Sequence, residues 1–292
     1  MTEAEWLASD DPDDLLEFVC QRRRMELGMP AEADADEWVK FLHGGVSVLV
    51  YPRKRRLFAC ACCRRIWPLL PQPARNAVAV GERLADGAAD DAERLAARAN
   101  VETAGQAVRR RSATRHALKA AAAAVMAFAN SPQGFESFGS NFGSFLNDDD
   151  EDGGFTRAAN AALHALVEAT APQGMEPLLR MWNRLRPEYV AKAGQPVAGA
   201  RWYAELVAQC DLIRDIFDNP FRPAPFDPAW RSTTVASIAE AIYTDRAFDR
   251  MPILADALED AGCTSREILD HCRSLGEHVR GCWVVDLVLG KD

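Results

Sequence analysis

Apolar residues recur along most of this chain at intervals of three and four, the spacing of helices with one buried face. Thr2-Glu3-Ala4-Glu5 reads as a capping box that opens a short helix. Asp11-Pro12-Asp13-Asp14 starts a second helix. Proline suits a first turn, the acids suit the positive end of the helix dipole, and Leu15, Leu16, Phe18 and Val19 supply a buried face. Met29-Pro30 breaks the pattern, and 34–42 is helical again with Asp34 as N-cap. After Gly44-Gly45, the run Val46-Ser47-Val48-Leu49-Val50-Tyr51 is the best strand candidate, and it lacks an evident pairing partner. Residues 53–67 predict a helix stopped by Pro68. Residues 74–85 predict another, with Gly87 as its C-cap. An alanine-rich helical stretch follows over 90–129, interrupted near Gly105 and small-sided at 120–124.

The pattern then stops. Residues 131–154 are rich in Gly, Ser, Asn and Asp and read as a flexible loop, unusual only for Phe135, Phe138, Phe142 and Phe145. Helical spacing resumes over 155–170 and 177–185. It is strongest over 200–217, where Trp202, Leu206, Cys210, Ile213 and Phe217 share a face. Pro220, Pro223, Pro225 and Pro228 make a rigid, extended connection. Helices are predicted at 234–245 and 252–261, the second ending at Gly262. Thr264-Ser265-Arg266-Glu267 reads as a second capping box, opening a helix that carries His271 and Cys272. The apolar run 282–289 is buried as a helix or a strand, and its periodicity fits either. No repeat of 20–50 residues is present. The expected fold is mainly α, a compact multi-helix body with at most a minor β element. An N-terminal helical segment (1–130) and a C-terminal one (155–292) pack together as one domain around the 131–154 loop.

Composition agrees with that fold: 292 residues, 48% hydrophobic and 26% charged, suffice for a real core. The net charge of −9 argues against a general duplex-binding surface, so a nucleic-acid role would rest on local patches. The acidic opening Met1-Thr2-Glu3-Ala4-Glu5-Trp6 lacks the apolar region of a signal peptide, and no window reaches the roughly 18 apolar residues of a membrane span. Eight cysteines without such a signal imply a reducing, cytoplasmic location, where clustered thiols are free, metal-bound or catalytic rather than bridged.

Metal-capable side chains concentrate in two distant segments. On a helix Cys60 and Cys63 share a face, as do His278 and Cys282. Zinc takes four such donors as a tetrahedron, which makes Cys60, Cys63, His278 and Cys282 a candidate site, with Cys272 and His271 as substitutes. The alternative is that these small thiols fill gaps in helix packing. A thiol enzyme would use Cys62 or Cys63, flanked by Arg64 and Arg65, with His278 or His271 as base. The clusters 53–56 with 64–65, and 109–111 with Arg115, could bind a nucleic-acid backbone, pair with the acids at 148–152, or lie solvated. Asp215, Asp218, Asp245, Asp249 and Asp286 could line a cleft but read first as caps and surface pairs. Asp286, inside an apolar run, requires a partner such as Arg280 or Arg65. No phosphate-cradling glycine loop is present.

The segments Leu57-Phe58-Ala59-Cys60-Ala61-Cys62-Cys63-Arg64-Arg65-Ile66-Trp67 and His278-Val279-Arg280-Gly281-Cys282-Trp283-Val284-Val285-Asp286 resemble a family of uncharacterised bacterial proteins expanded in planctomycete-type genomes. So do Asp215-Ile216-Phe217-Asp218-Asn219-Pro220-Phe221 and Ala247-Phe248-Asp249-Arg250. The resemblance implies a bacterial, cytoplasmic origin and carries no activity. The expectation is therefore a non-enzymatic helical interaction or scaffold protein that recognises a protein partner. Its Cys/His cluster would be structural, with zinc as the candidate ion. The thiol- or metal-dependent enzyme and the nucleic-acid-associated factor stand as alternatives.

Overall fold

The computed structural model describes residues 1–27, 51–106, 117, 118, 120, 121, 124 and 197–291. The predicted helices at 34–42, 155–170 and 177–185, most of the strand candidate, the 131–154 loop and the arginines at 109–115 lie outside the described residues. Those residues form ten α-helices joined by short 3-10 turns and contain no strand, a mainly α fold. The chain divides into two compact units, Met1–Lys54 with Cys210–Asp292, and Arg55–Gln209.

In the first unit, α1 (Glu3–Ala8) opens on the predicted box: Thr2 accepts from the Glu5 backbone and Glu5 accepts from that of Thr2. Helix α2 (Pro12–Glu26) follows, with proline in its first turn. Two helices contribute to both units, α3 (Pro52–Arg65) and α6 (Val197–Phe217). Helix α6 ends at Asp218, whose φ of 63° stops it. Helices α7 (Thr233–Asp245), α8 (Met251–Asp260), α9 (Arg266–Arg273) and α10 (Trp283–Leu289) then build the core. Val235, Ile242, Met251, Leu254, Ile268 and Val285 meet there, at helical intervals that turn one face of each helix inward. The N-cap of α9 is Ser265, one residue later than the predicted box, and it accepts from the Ile268 N–H. The 282–289 run is helical, so its Val284, Val285 and Val288 are buried as a stripe.

The second unit holds the remainder of α3, then α4 (Gln72–Ala85), α5 (Asp91–Gln106) and the first part of α6. Helices α4 and α5 pack against each other around Ala77, Val78, Ala97 and Val101. Gly87, just past the end of α4 at φ 67°, is the predicted cap. No helix among the described residues is long and apolar enough to cross a membrane.

Candidate metal centre

The first unit gathers four donors at one point. Asp215 lies in the last turn of α6, where the negative end of the helix dipole makes a carboxylate costly without partners. His271 lies in the last turn of α9, and His278 follows in the connection to α10. Gly281, at φ 94°, turns the chain in a way side chains with a Cβ rarely allow, and this makes Cys282 the N-cap of α10. The Cys282 carbonyl then accepts the first helical bond from the Asp286 N–H at 2.9 Å.

Asp215, His271, His278 and Cys282 each bring one donor atom within 4.8 Å of all the others, so this buried group could hold a metal ion. Asp215 Oδ1 is 2.6 Å from His278 Nδ1 and 3.1 Å from His271 Nε2. Cys282 Sγ is 3.2 Å from His271 Nε2 and 3.9 Å from His278 Nδ1. Zinc bonds of about 2.0–2.3 Å place tetrahedral donors roughly 3.3–3.8 Å apart, so only the Asp215–His278 contact must open appreciably. The surroundings orient the donors. The Val279 N–H donates to Asp215 Oδ2 at 2.9 Å, leaving Oδ1 to face the centre. Ser274 Oγ lies 3.3 Å from His278 Nε2, an acceptor for the N–H that a ring bound through Nδ1 carries. Two anionic and two neutral donors would balance a divalent cation, and the mixture of O, N and S suits zinc.

Electrostatics favour the same chemistry. Burial alone would raise the Asp215 carboxyl, but hydrogen bonds from His271 and His278 outweigh it and hold the group below its ordinary value. Burial pushes the Cys282 thiol well above its usual range and the Asp215 charge adds to this, while the Val285 and Val284 N–H groups at the start of α10 oppose it. Without a cation Cys282 is therefore a thiol; a bound metal would deprotonate it. A Cys–His–Asp nucleophile is a poor description. In such a triad the acid orients the base through its other ring nitrogen, whereas here Asp215 and Cys282 converge on one nitrogen of His271.

Of the residues singled out in the sequence, His278 and Cys282 belong to this group, and their companions here are Asp215 and His271. Cys60 and Cys63 belong to the second unit, where both are fully buried in α3 and Cys60 Sγ rests 3.8 Å from the Val78 carbonyl. Cys272 is buried in the core of the first unit, and burial pushes its thiol up to about 12. Cys62 and Cys63 are not activated by their arginine neighbours. Burial holds both thiols well above the ordinary value. Arg64 instead binds Glu82 through two bonds of 3.0 and 2.9 Å, and Arg65 binds Glu205 at 3.0 Å. The arginine run at the start of α3 is likewise drawn inward. Arg53 pairs with Asp286, and Arg55 and Arg56 are buried. Asp286 thus finds Arg53 as a partner, while Arg280 donates to the Tyr243 carbonyl.

No protein-family model, curated protein or solved structure matches the chain, so the site is read from its geometry.

Proposed function

We propose that this chain is a non-enzymatic helical scaffold that recognises a protein partner, and that a zinc-class ion at the Asp215, His271, His278 and Cys282 group fastens its C-terminal segment to the end of α6. The observation that carries the reading is the convergence of four donors of three chemistries on one buried point. A structural role is supported by their burial: Asp215 and His278 side chains are 4% and 5% exposed. A thiol enzyme is disfavoured, because each cysteine that was a candidate nucleophile is fully buried and held protonated. A metal that binds only the folded state stabilises it by about 2.7 kcal/mol at a hundredfold excess over its dissociation constant. Metal analysis and thermal melting of protein purified without chelator test this. About one zinc per chain and a Tm lowered by chelator are expected; zinc well below one per chain with a chelator-insensitive Tm would sink the proposal.

A further inference from the structure

Asp215, His278 and Ser274 stand in line. His278 Nδ1 lies 2.6 Å from Asp215 Oδ1, and on the far edge of the same ring Nε2 lies 3.3 Å from Ser274 Oγ. A carboxylate only accepts, so with no ion on Nδ1 that nitrogen carries the ring hydrogen and donates it to Asp215. Nε2 of the neutral ring then accepts from the serine hydroxyl. Acid and hydroxyl thus take opposite nitrogens of one imidazole, the arrangement a proton relay requires and the one Cys282 lacks. The 3.3 Å step is at the long end, as such bonds commonly are before a substrate binds. The Val279 N–H holds Asp215 Oδ2 at 2.9 Å, which fixes the acid. The acid and the ring are buried, while Ser274 is exposed beside the fully exposed Leu275. As C-cap of α9, Ser274 is itself held by its N–H to the His271 carbonyl at 3.1 Å. The N–H groups of Leu275 and Gly276 donate to no protein group among the described residues and follow Ser274 directly, available to an oxyanion. A Cβ on Gly276 would lie 3.6 Å from Ser274 Oγ, so this residue sits beside the hydroxyl.

We propose that Ser274 is the nucleophile of an ester-cleaving relay, with His278 as its base and Asp215 as the positioning residue, and that a metal ion on His278 holds the relay off. Oγ bonds to the carbonyl carbon of a carboxylic ester while its proton passes to His278 Nε2. The ester C–O bond breaks, and the alcohol leaves with that proton. Water then adds to the acyl carbon, gives a proton to Nε2, and releases the carboxylic acid as Ser274 regains its hydrogen. With an ion on Nδ1 the ring hydrogen lies on Nε2, which donates to Ser274 and cannot take its proton. The loaded chain therefore stays the non-enzymatic scaffold. This gate rests on the metal reading above; the relay stands without it.

A fluorophosphonate probe tests the proposal in the full chain with chelator present. Oγ displaces fluoride from phosphorus, as it would an alcohol from an ester. One label per chain is expected, mapped to Ser274 by peptide mass spectrometry and absent in Ser274→Ala, an exposed change that should leave the circular dichroism spectrum and zinc binding intact. His278→Ala should slow labelling by about a hundredfold. Asp215→Asn should lower kcat for p-nitrophenyl acetate by a similar factor and leave KM unchanged. Zinc added to saturation should suppress labelling in the wild-type chain. Labelling of Ser274 no faster than in the urea-denatured chain, or as fast in His278→Ala as in wild type, would overturn the relay. Bound zinc that leaves labelling unchanged would overturn the gate. A chain that binds no zinc would refute the metal reading, while its labelling would still decide the relay.

Discussion

Replacing Arg53 with methionine should cost this protein about 3 kcal/mol of stability. Arg53 Nη1 lies 2.6 Å from Asp286 Oδ2 and Nη2 lies 3.1 Å from Oδ1, a two-pronged pair, and Nη2 also donates to the Tyr243 hydroxyl at 2.9 Å. The Asp286 side chain is 2% exposed and that of Arg53 14%. Removing one partner of a buried pair typically costs about 3–5 kcal/mol, because the other charge is stranded away from water. The partial exposure of Arg53 lets water reach the carboxylate that loses its two-pronged partner, which places the cost at the lower end. Replacing both residues, as Arg53→Met with Asp286→Leu, removes the buried pair as a whole and should return stability to within about 1 kcal/mol of wild type. Urea unfolding followed by circular dichroism measures both variants, with unchanged slopes expected. The pair also holds α10 one turn beyond Cys282, so the single variant should weaken metal binding as well. A single-variant cost below about 1 kcal/mol, or a double variant as unstable as the single, would refute the assignment of Asp286 as a buried, paired anion.

Burial carries the Asp218 carboxyl from 3.8 up to about 6, so its charge opposes folding above that pH and the penalty fades as pH falls towards 3.8. Asp218→Asn, which tolerates the positive φ, should therefore raise stability at pH 7 by about 1 kcal/mol, with no gain below the unfolded carboxyl range, as pH-dependent unfolding will measure. Asp215 has the opposite sign. Its lowered carboxyl adds stability to the metal-free protein above its ordinary value of 3.8 that is lost as pH falls through the lower folded value, which acid titration of Asp215→Asn beside wild type will register. Because Cys282 is a raised thiol that must ionise to bind, zinc affinity should rise about tenfold per pH unit around pH 7–8, readable by competition with a chelating dye. A Cβ at Gly81 would meet Cys60 Sγ at 3.0 Å and the Ala124 carbonyl oxygen at 3.5 Å, so Gly81→Ala should destabilise by about 1–3 kcal/mol. If Cys60 is packing alone, adding Cys60→Ala should recover most of that loss in a melting experiment without altering metal content.

Local signals in the sequence translated directly into structure. The Thr2–Glu5 box, Pro12 in a first turn and Gly87 beyond a helix end each act through their own few residues, so spacing alone identifies them. His278 and Cys282 were paired on helical spacing, yet neither lies within a helix: His278 sits in the connection before α10, Cys282 is the N-cap of α10, and the turn at Gly281 separates them. Their companions were not paired with them. Asp215 lies in a different helix, and an aspartate beside Ile213 and Ile216 reads as an ordinary surface acid until its last-turn position is set against two histidines. His271 was visible only as a substitute. The turn at Gly281 that brings Cys282 to it depends on a positive φ that no spacing rule encodes. Cys60 and Cys63 have ligand-like spacing, yet three-residue intervals also arise whenever small side chains line a buried face. Arg53 was missed as a partner of Asp286 because it is more than two hundred residues away in sequence, with Arg280 the nearer cation.

The central claim, a metal held by one thiolate with carboxylate and imidazole, is tested most directly by zinc K-edge X-ray absorption on the as-purified protein. The account predicts a first shell of one sulfur near ~2.3 Å and the remaining donors nitrogen or oxygen near ~2.0–2.1 Å, the single sulfur being Cys282 and disappearing in Cys282→Ser. A shell with two or three sulfurs, which would draw in Cys60, Cys63 or Cys272, or a shell with none, would contradict it.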